Sequence, residues 1–203
     1  MRRTIATAGF GIVLALVVLA SGACSNPEQQ KQTYFENANR FLEQKKYAEA
    51  IVEYRNALRV DGRFGQARFK LGEAYEATGN ASAAYAEFVR AADLMPENVD
   101  AQLKSAQFLL LAGQFLDAKT RAERVLERNK TNVEAQVIVG NALAGLKDLA
   151  GAVSQMEEAI KLEPGRSQTY ANLAMLRMAQ GDRNQAEEAF NRAVELDPKS
   201  ILA

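Results

Sequence analysis

Apolar residues recur at three- and four-residue intervals along most of this chain, the period of a helix that buries one face. The blocks run for about a dozen residues and are divided by short polar turns. Around position 72 the pattern predicts one helix from Gly65 to Ala77 and a second from Ala81 to Leu94. Between them, Gly79 suits the left-handed turn that ends the first helix, and Asn80 suits the cap that starts the second. Gly113 and Gly181-Asp182 repeat the device, whereas Lys45-Lys46 and Lys147-Asp148 depart from it.

The two-helix block is itself periodic. A step of 34 residues tiles 31–64, 65–98, 99–132, 133–166 and 167–200. One column of this frame holds Ala38, Gly72, Ala106, Gly140 and Ala174, and another holds Ala50, Ala84, Ala118, Ala152 and Ala186. A third reads Ala57, Ala91, Val125, Ala159 and Ala193. Small residues at fixed positions let two helix backbones cross closely, with bulk supplied beside them by Tyr54, Phe88, Met156 and Phe190. The units end on Gly62, Pro96, Lys130, Pro164 and Pro198, and proline there stops the second helix and turns the chain onward.

This frame resembles the tetratricopeptide repeat (TPR) family, whose period, small-residue columns, aromatic column and terminal proline it shares over residues 31–200. Its departures are local: Asn37 and Ser105 stand in a usually large apolar column, Arg177 replaces an aromatic, and Ala122 replaces a bulky residue. The resemblance implies an all-α fold, a right-handed superhelical solenoid of five helix-turn-helix repeats. It also implies that the first helix of each unit lines a concave face, which takes an extended peptide or a helix of a partner protein.

On the family's frame one groove row is Phe35, Phe69, Leu103, Val137 and Ala171. A second is Asn39, Glu73, Gln107, Asn141 and Met175, and a third is Leu42, Glu76, Leu110, Ala144 and Met178. Such a groove is largely apolar and neutral, with amides at intervals that can hydrogen-bond a partner's backbone. Met175 and Met178 make its far end adaptable. Some family members clamp a terminal carboxylate with lysines and asparagine. Lys70 and Lys104 are the only near candidates here, so the expected partner is a segment with apolar side chains and no required terminal acid. The structural alternatives are that Phe35 and Phe69 pack between adjacent helices and that Asn39 and Asn141 lie on solvated helix faces.

Composition narrows the chemistry. The 203 residues include no histidine and no tryptophan, and a single cysteine. A Ser-His-Asp triad, a Cys-His pair, a zinc site and an intramolecular disulfide are therefore excluded. The 25 basic and 25 acidic side chains give no basic excess for nucleic acid. Glu157-Glu158 and Glu187-Glu188 are neighbours in sequence, and adjacent helical residues do not face one another. The glycines are scattered as helix stops and form no phosphate-binding loop. The expectation is a protein that is not an enzyme and that needs no cofactor or metal.

The first residues read as an address. Arg2 and Arg3 precede an uncharged stretch at 5–20, followed by Ser21-Gly22-Ala23-Cys24. This resembles a bacterial lipoprotein signal over residues 1–23, with Cys24 as the lipidated residue, although Ser21 stands where that family prefers leucine. By the same resemblance, Ser25 favours the periplasmic face of the outer membrane. Residues 24–30 would be a short tether, and the six after the cysteine span at most about 20 Å. At the other end 201–203 would open a possible sixth repeat, so the last helix is expected either to associate with another molecule or to continue a longer array. The function expected is a lipid-anchored TPR scaffold that binds partner-protein segments and assists an envelope system: polysaccharide export, a pilus or outer-membrane protein machinery. The long TPR lipoproteins that accompany exosortase and exopolysaccharide loci resemble it. The alternative is the docking arm of a larger enzyme.

Overall fold

A computed structural model of the chain describes residues 26–199. The signal segment, Cys24 and residues 200–203 lie outside the described residues. Ten helices follow one another: α1 (Pro27–Glu43), α2 (Tyr47–Val60), α3 (Gly65–Ala77), α4 (Ala81–Leu94), α5 (Val99–Leu111), α6 (Phe115–Arg128), α7 (Val133–Gly145), α8 (Leu149–Leu162), α9 (Ser167–Gln180) and α10 (Arg183–Leu196). Among the described residues there is no strand. The fold is an all-helical solenoid of hairpins, and α3 and α4 have the bounds that the hydrophobic pattern predicts.

The turn inside each hairpin is built the same way five times. The backbone N–H of Lys46, Asn80, Gln114, Asp148 and Asp182 donates five residues back, to Phe41, Tyr75, Leu109, Leu143 and Arg177, at 2.9–3.0 Å. That bond requires a left-handed residue in between. Gly79, Gly113 and Gly181 supply it with φ of 74°, 72° and 85°, whereas Lys45 and Lys147 adopt it without glycine, at 58° and 70°. The departure at the lysines is thus one of residue type and not of conformation. Side chains of Asn80, Asn98, Asn132, Asp148 and Asp182 then cap the next helices.

The core follows the columns. Ala38, Gly72, Ala106, Gly140 and Ala174 are all buried, and the bulk lies opposite them. A Cβ added to Gly72 would lie 2.7 Å from the Phe88 ring, and one on Gly140 would lie 2.8 Å from Cε of Met156. Aromatic rings bind the first half together: Phe35 meets Phe64 and Tyr54 at 4.8 and 5.9 Å, and Phe88 meets Phe69 and Phe108 at 5.5 and 5.0 Å between centroids. In the third unit Ala106 faces Ala122, and Leu103, Val125, Ile138 and Val139 fill the space that an aromatic would take.

Every helix packs against its neighbours in sequence. In addition, α1 touches α3, α5 touches α7, and α7 touches α9, while the even-numbered helices make no comparable contact with one another. The odd-numbered helices, which crowd together, therefore form the inner side of the curve.

Candidate partner-binding groove

Two cavities lie along that inner side. One, of about 470 Å³, sits between α5 and α7 and is lined by Gln107, Leu110, Leu111, Val137 and Asn141, with Phe115 and Arg166 at its margins. The other, of about 480 Å³, sits between α7 and α9 and is lined by Asn141, Ala144, Leu149, Asn172 and Met175, with Lys147 beside it. Asn141 is common to both, so the two cavities meet at its side chain on α7. The walls are mainly apolar, and Leu111 and Met175 are 81% and 50% exposed at them. Phe115 is held in place because Gly145 leaves room for its ring; a Cβ there would come within 2.4 Å of it.

The amide row divides when its hydrogen bonds are followed. Tyr54 Oη donates to Oδ1 of Asn39 at 2.6 Å, which ties Asn39 to the core. Gln107 donates to Glu134, and Glu73 forms an ion pair with Lys70 at 2.8 Å. Asn141 alone among these makes no side-chain hydrogen bond among the described residues, and it is a half-buried residue that lines both apolar cavities. Met175 ends the row within the second cavity.

The other rows are less available. Phe35 and Phe69 lie half-buried against aromatic neighbours, and Leu103 and Val137 are 6% and 8% exposed. Ala171 is buried, and Leu42 packs partly buried on the first-unit core. Glu76 holds Lys104 at 3.0 Å. Met178 is 50% exposed but lies outside both cavities.

One groove residue escaped the sequence reading. Asn172 is 8% exposed and lines the second cavity; its Oδ1 accepts from Gln168 at 3.0 Å, while its Nδ2 makes no hydrogen bond among the described residues. It shares a column with Lys70 and Lys104, the two residues weighed above as carboxylate ligands. Continuing that column by two repeats would have found it.

Charge divides the inner face in the same way. In the first half Lys70 and Lys104 are neutralised by Glu73 and Glu76. In the second half Lys147 has no ion pair among the described residues, and Arg166 lies 3.6 Å from Glu163. A larger cavity of about 930 Å³ lies among α8, α9 and α10, but its walls are polar and pair with one another, Arg177 with Glu157 at 2.5 Å and Arg192 with Glu195 at 2.8 Å. Arg177 takes there the position held by Leu109 and Leu143 in the two preceding units, which accounts for its place in the repeat. Among the described residues no group of His, Cys, Asp and Glu is placed to hold a metal ion, and no helix is long and apolar enough to cross a membrane.

Family models described as TPR repeat or tetratricopeptide repeat match residues 38–79, 103–167 and 143–203. The chain belongs to the tetratricopeptide repeat family. Among solved structures it is similar to MamA from Desulfovibrio magneticus RS-1, with a TM-score of 0.74 and 21% identity over 85% of this chain and 97% of that one. It is also similar to YrrB, described as a TPR protein with an unusual peptide-binding site, with a TM-score of 0.72 and 24% identity over 83% and 87% of the two chains. At that identity the likeness speaks for the fold. Among curated proteins, the human superkiller complex protein 3 is 27% identical over 149 residues, 70% of this TPR chain and 10% of that protein. A probable UDP-N-acetylglucosamine–peptide N-acetylglucosaminyltransferase, SPINDLY of Hordeum vulgare, is 30% identical over 104 residues, 51% of this chain and 11% of that protein. The chain thus spans about a tenth of the length of the curated relatives that it matches.

Proposed function

We propose that the chain is a scaffold that captures a segment of a partner protein in the groove formed by α5, α7 and α9. The observation that carries this reading is Asn141, whose amide is unbonded among the described residues and stands between two apolar cavities. Asn141 is only half-buried, so water can reach its amide in the free chain, and between apolar walls the amide is placed to exchange that water for a partner's backbone. Asn172 adds a second donor, Nδ2, in the same cavity. The apolar walls would hold the partner's side chains and contribute about 25 cal/mol for each Å² of apolar surface covered.

The same proposal gives the scaffold a lipid anchor at Cys24, on the periplasmic face of the outer membrane, where it would gather components of an envelope assembly system. This part rests on the basic start, the uncharged stretch at 5–20 and the small residues before Cys24. Mass spectrometry of the protein from the envelope fraction tests it: diacylglycerol on Cys24 is expected, and an unmodified thiol would overturn it.

The groove is tested by joint replacement of Asn141 and Met175 with alanine. Phe69 is unsuited to this test, because its ring packs edge-on against Phe88 and its removal would loosen the core. Loss of binding to a crosslink-identified partner, with unchanged thermal unfolding, is expected. Undiminished binding would move the site elsewhere. A second reading, the docking arm of a larger enzyme, draws on the resemblance to part of a probable glycosyltransferase. Sequencing the gene past the codon for Ala203 separates the two readings, since only the second requires a catalytic domain there.

A further inference from the structure

The third unit departs from the repeat at a position that the groove does not use. Units two, four and five carry proline after their last helix, at Pro96, Pro164 and Pro198, and the third carries Lys130. The backbone just before it is the same in all four. φ and ψ are −126° and 64° at Met95, −133° and 87° at Asn129, −134° and 78° at Glu163, and −144° and 88° at Asp197. A proline would therefore fit at position 130. What lysine permits there is a residue pattern. Asn129-Lys130-Thr131 has the form Asn-x-Ser/Thr, with x any residue but proline, which is the acceptor pattern for N-linked sugar on secreted chains.

The local geometry suits an acceptor. Residues 127–131 are exposed without a break. The Thr131 hydroxyl donates to Oδ1 of Asn129 at 2.9 Å, and the Thr131 N–H donates to the same oxygen at 3.2 Å. Two donors on the carbonyl oxygen polarise the amide and make its N–H easier to deprotonate. Nδ2 itself makes no hydrogen bond among the described residues. The corresponding turns of units one and five are held by carboxylates and offer no amide: Asp61 accepts from the N–H of Arg63 at 2.9 Å, and Asp197 from that of Lys199 at 3.1 Å. A second match to the pattern, Asn80-Ala81-Ser82, is engaged differently. Oδ1 of Asn80 caps α4 by accepting from the N–H of Ala83 at 3.1 Å, and Ser82 lies within that helix. Two residues before Asn129, the exposed Glu127 makes no ion pair among the described residues and leaves a carboxylate for a basic surface to meet.

We propose that Asn129 is a glycosylation site, which receives an oligosaccharide from a polyprenyl diphosphate carrier through a separate transferase. Nδ2 forms a bond to the anomeric carbon of the first sugar. The bond from that carbon to the diphosphate oxygen breaks, and the polyprenyl diphosphate leaves with the electron pair. Nδ2 gives up one proton to a base of the transferase, so no oxidant or reductant is needed. The site rests on the export reading of residues 1–24 above, since the pattern applies to secreted chains. Asn129 lines neither cavity of the groove.

Mass spectrometry of the full chain, isolated from the envelope fraction of its own cells and cut after glutamate, tests this on the peptide 128–134. Added sugar mass on that peptide, assigned to Asn129 by fragmentation, is expected. It should be lost in Asn129→Gln and in Thr131→Val, and kept in Thr131→Ser. Lys130→Pro should lose it with unchanged thermal unfolding, because the repeat already holds proline on the same backbone. Sugar that persists in Asn129→Gln would overturn the assignment. So would a bare peptide 128–134 from chains whose Cys24 carries lipid, a result that leaves the anchored scaffold standing. A bare peptide together with an unmodified Cys24 thiol would overturn both. Sugar on Asn129 beside an unmodified thiol would support the site and overturn the anchor alone.

Discussion

Tyr54 donates its phenol to the side-chain carbonyl of Asn39 at 2.6 Å. Asn141 occupies the same column three repeats later, and the residue fifteen positions beyond it is Met156, which has no hydrogen to give. Two asparagines that the repeat makes equivalent thus have opposite roles. Asn39→Ala leaves the fully buried Tyr54 without its acceptor and is expected to destabilise the fold by about 1–3 kcal/mol. Asn141→Ala breaks no hydrogen bond among the described residues and is expected to change stability by less than about 0.5 kcal/mol. Urea unfolding of both variants checks the difference, and equal losses would contradict it.

Tyr54 also makes the fold sensitive to alkali. Burial holds its phenol well above the ordinary 10.0, with the Glu73 and Glu43 carboxylates adding to the effect. The folded state therefore keeps this proton more tightly than the unfolded chain does. The resulting stability is fully present below about pH 10 and is lost as the pH rises above that value. Melting temperature should fall above about pH 10 in the parent protein and fall less steeply in Tyr54→Phe. Parallel declines would show that another group controls alkaline unfolding.

Glycine at the helix crossing is required only where the opposing side chain cannot yield. The Phe88 ring, 2.7 Å from a Cβ on Gly72, is itself held between Phe69 and Phe108. Gly72→Ala is expected to cost about 1–2 kcal/mol, because overpacking outweighs the gain in helix propensity of about 1 kcal/mol. At Gly140 the nearest opposing atom is the flexible end of the Met156 side chain, at 2.8 Å, and the backbone oxygen of Ala152 lies further off at 3.3 Å. Gly140→Ala should be neutral or slightly stabilising there. Chemical denaturation of the pair tests the contrast.

Lys45 and Lys147 hold the left-handed turn at φ of 58° and 70°, where Gly79, Gly113 and Gly181 hold it without strain. A non-glycine residue there costs about 1–2 kcal/mol. Lys45→Gly and Lys147→Gly are each expected to stabilise the fold by about 1 kcal/mol, read as a rise of a few degrees in melting temperature. A fall in either would mean that the lysine stem contributes more than its turn costs.

The fold was legible in the sequence because the repeat fixes it several times over. Small-residue columns, turn residues and caps each fall at the same step, so the bounds of α3 and α4 could be written from Gly79 and Asn80 alone. The groove was legible only as a set of rows. Which members of a row are free depends on partners from other columns: Asn39 is engaged because Tyr54 is a phenol, and Gln107 because Glu134 lies within reach. Phe35 and Phe69 stand at groove positions, yet their rings pack on aromatic neighbours of their own repeats, Tyr54 and Phe64 in the first and Phe88 in the second. Asn172 was missed because the rows were drawn through its neighbour Ala171, one residue away.

The groove is tested most directly by photocrosslinking in intact cells from a single unnatural residue, placed in turn at position 111, where Leu111 lines the first cavity and is 81% exposed, and at position 188, which borders the polar cavity formed by α8, α9 and α10. Crosslinks from position 111 to a defined partner segment, absent from position 188 and lost when Asn141 and Met175 are also replaced with alanine, are the predicted result. A partner captured from position 188 and never from position 111 would contradict it.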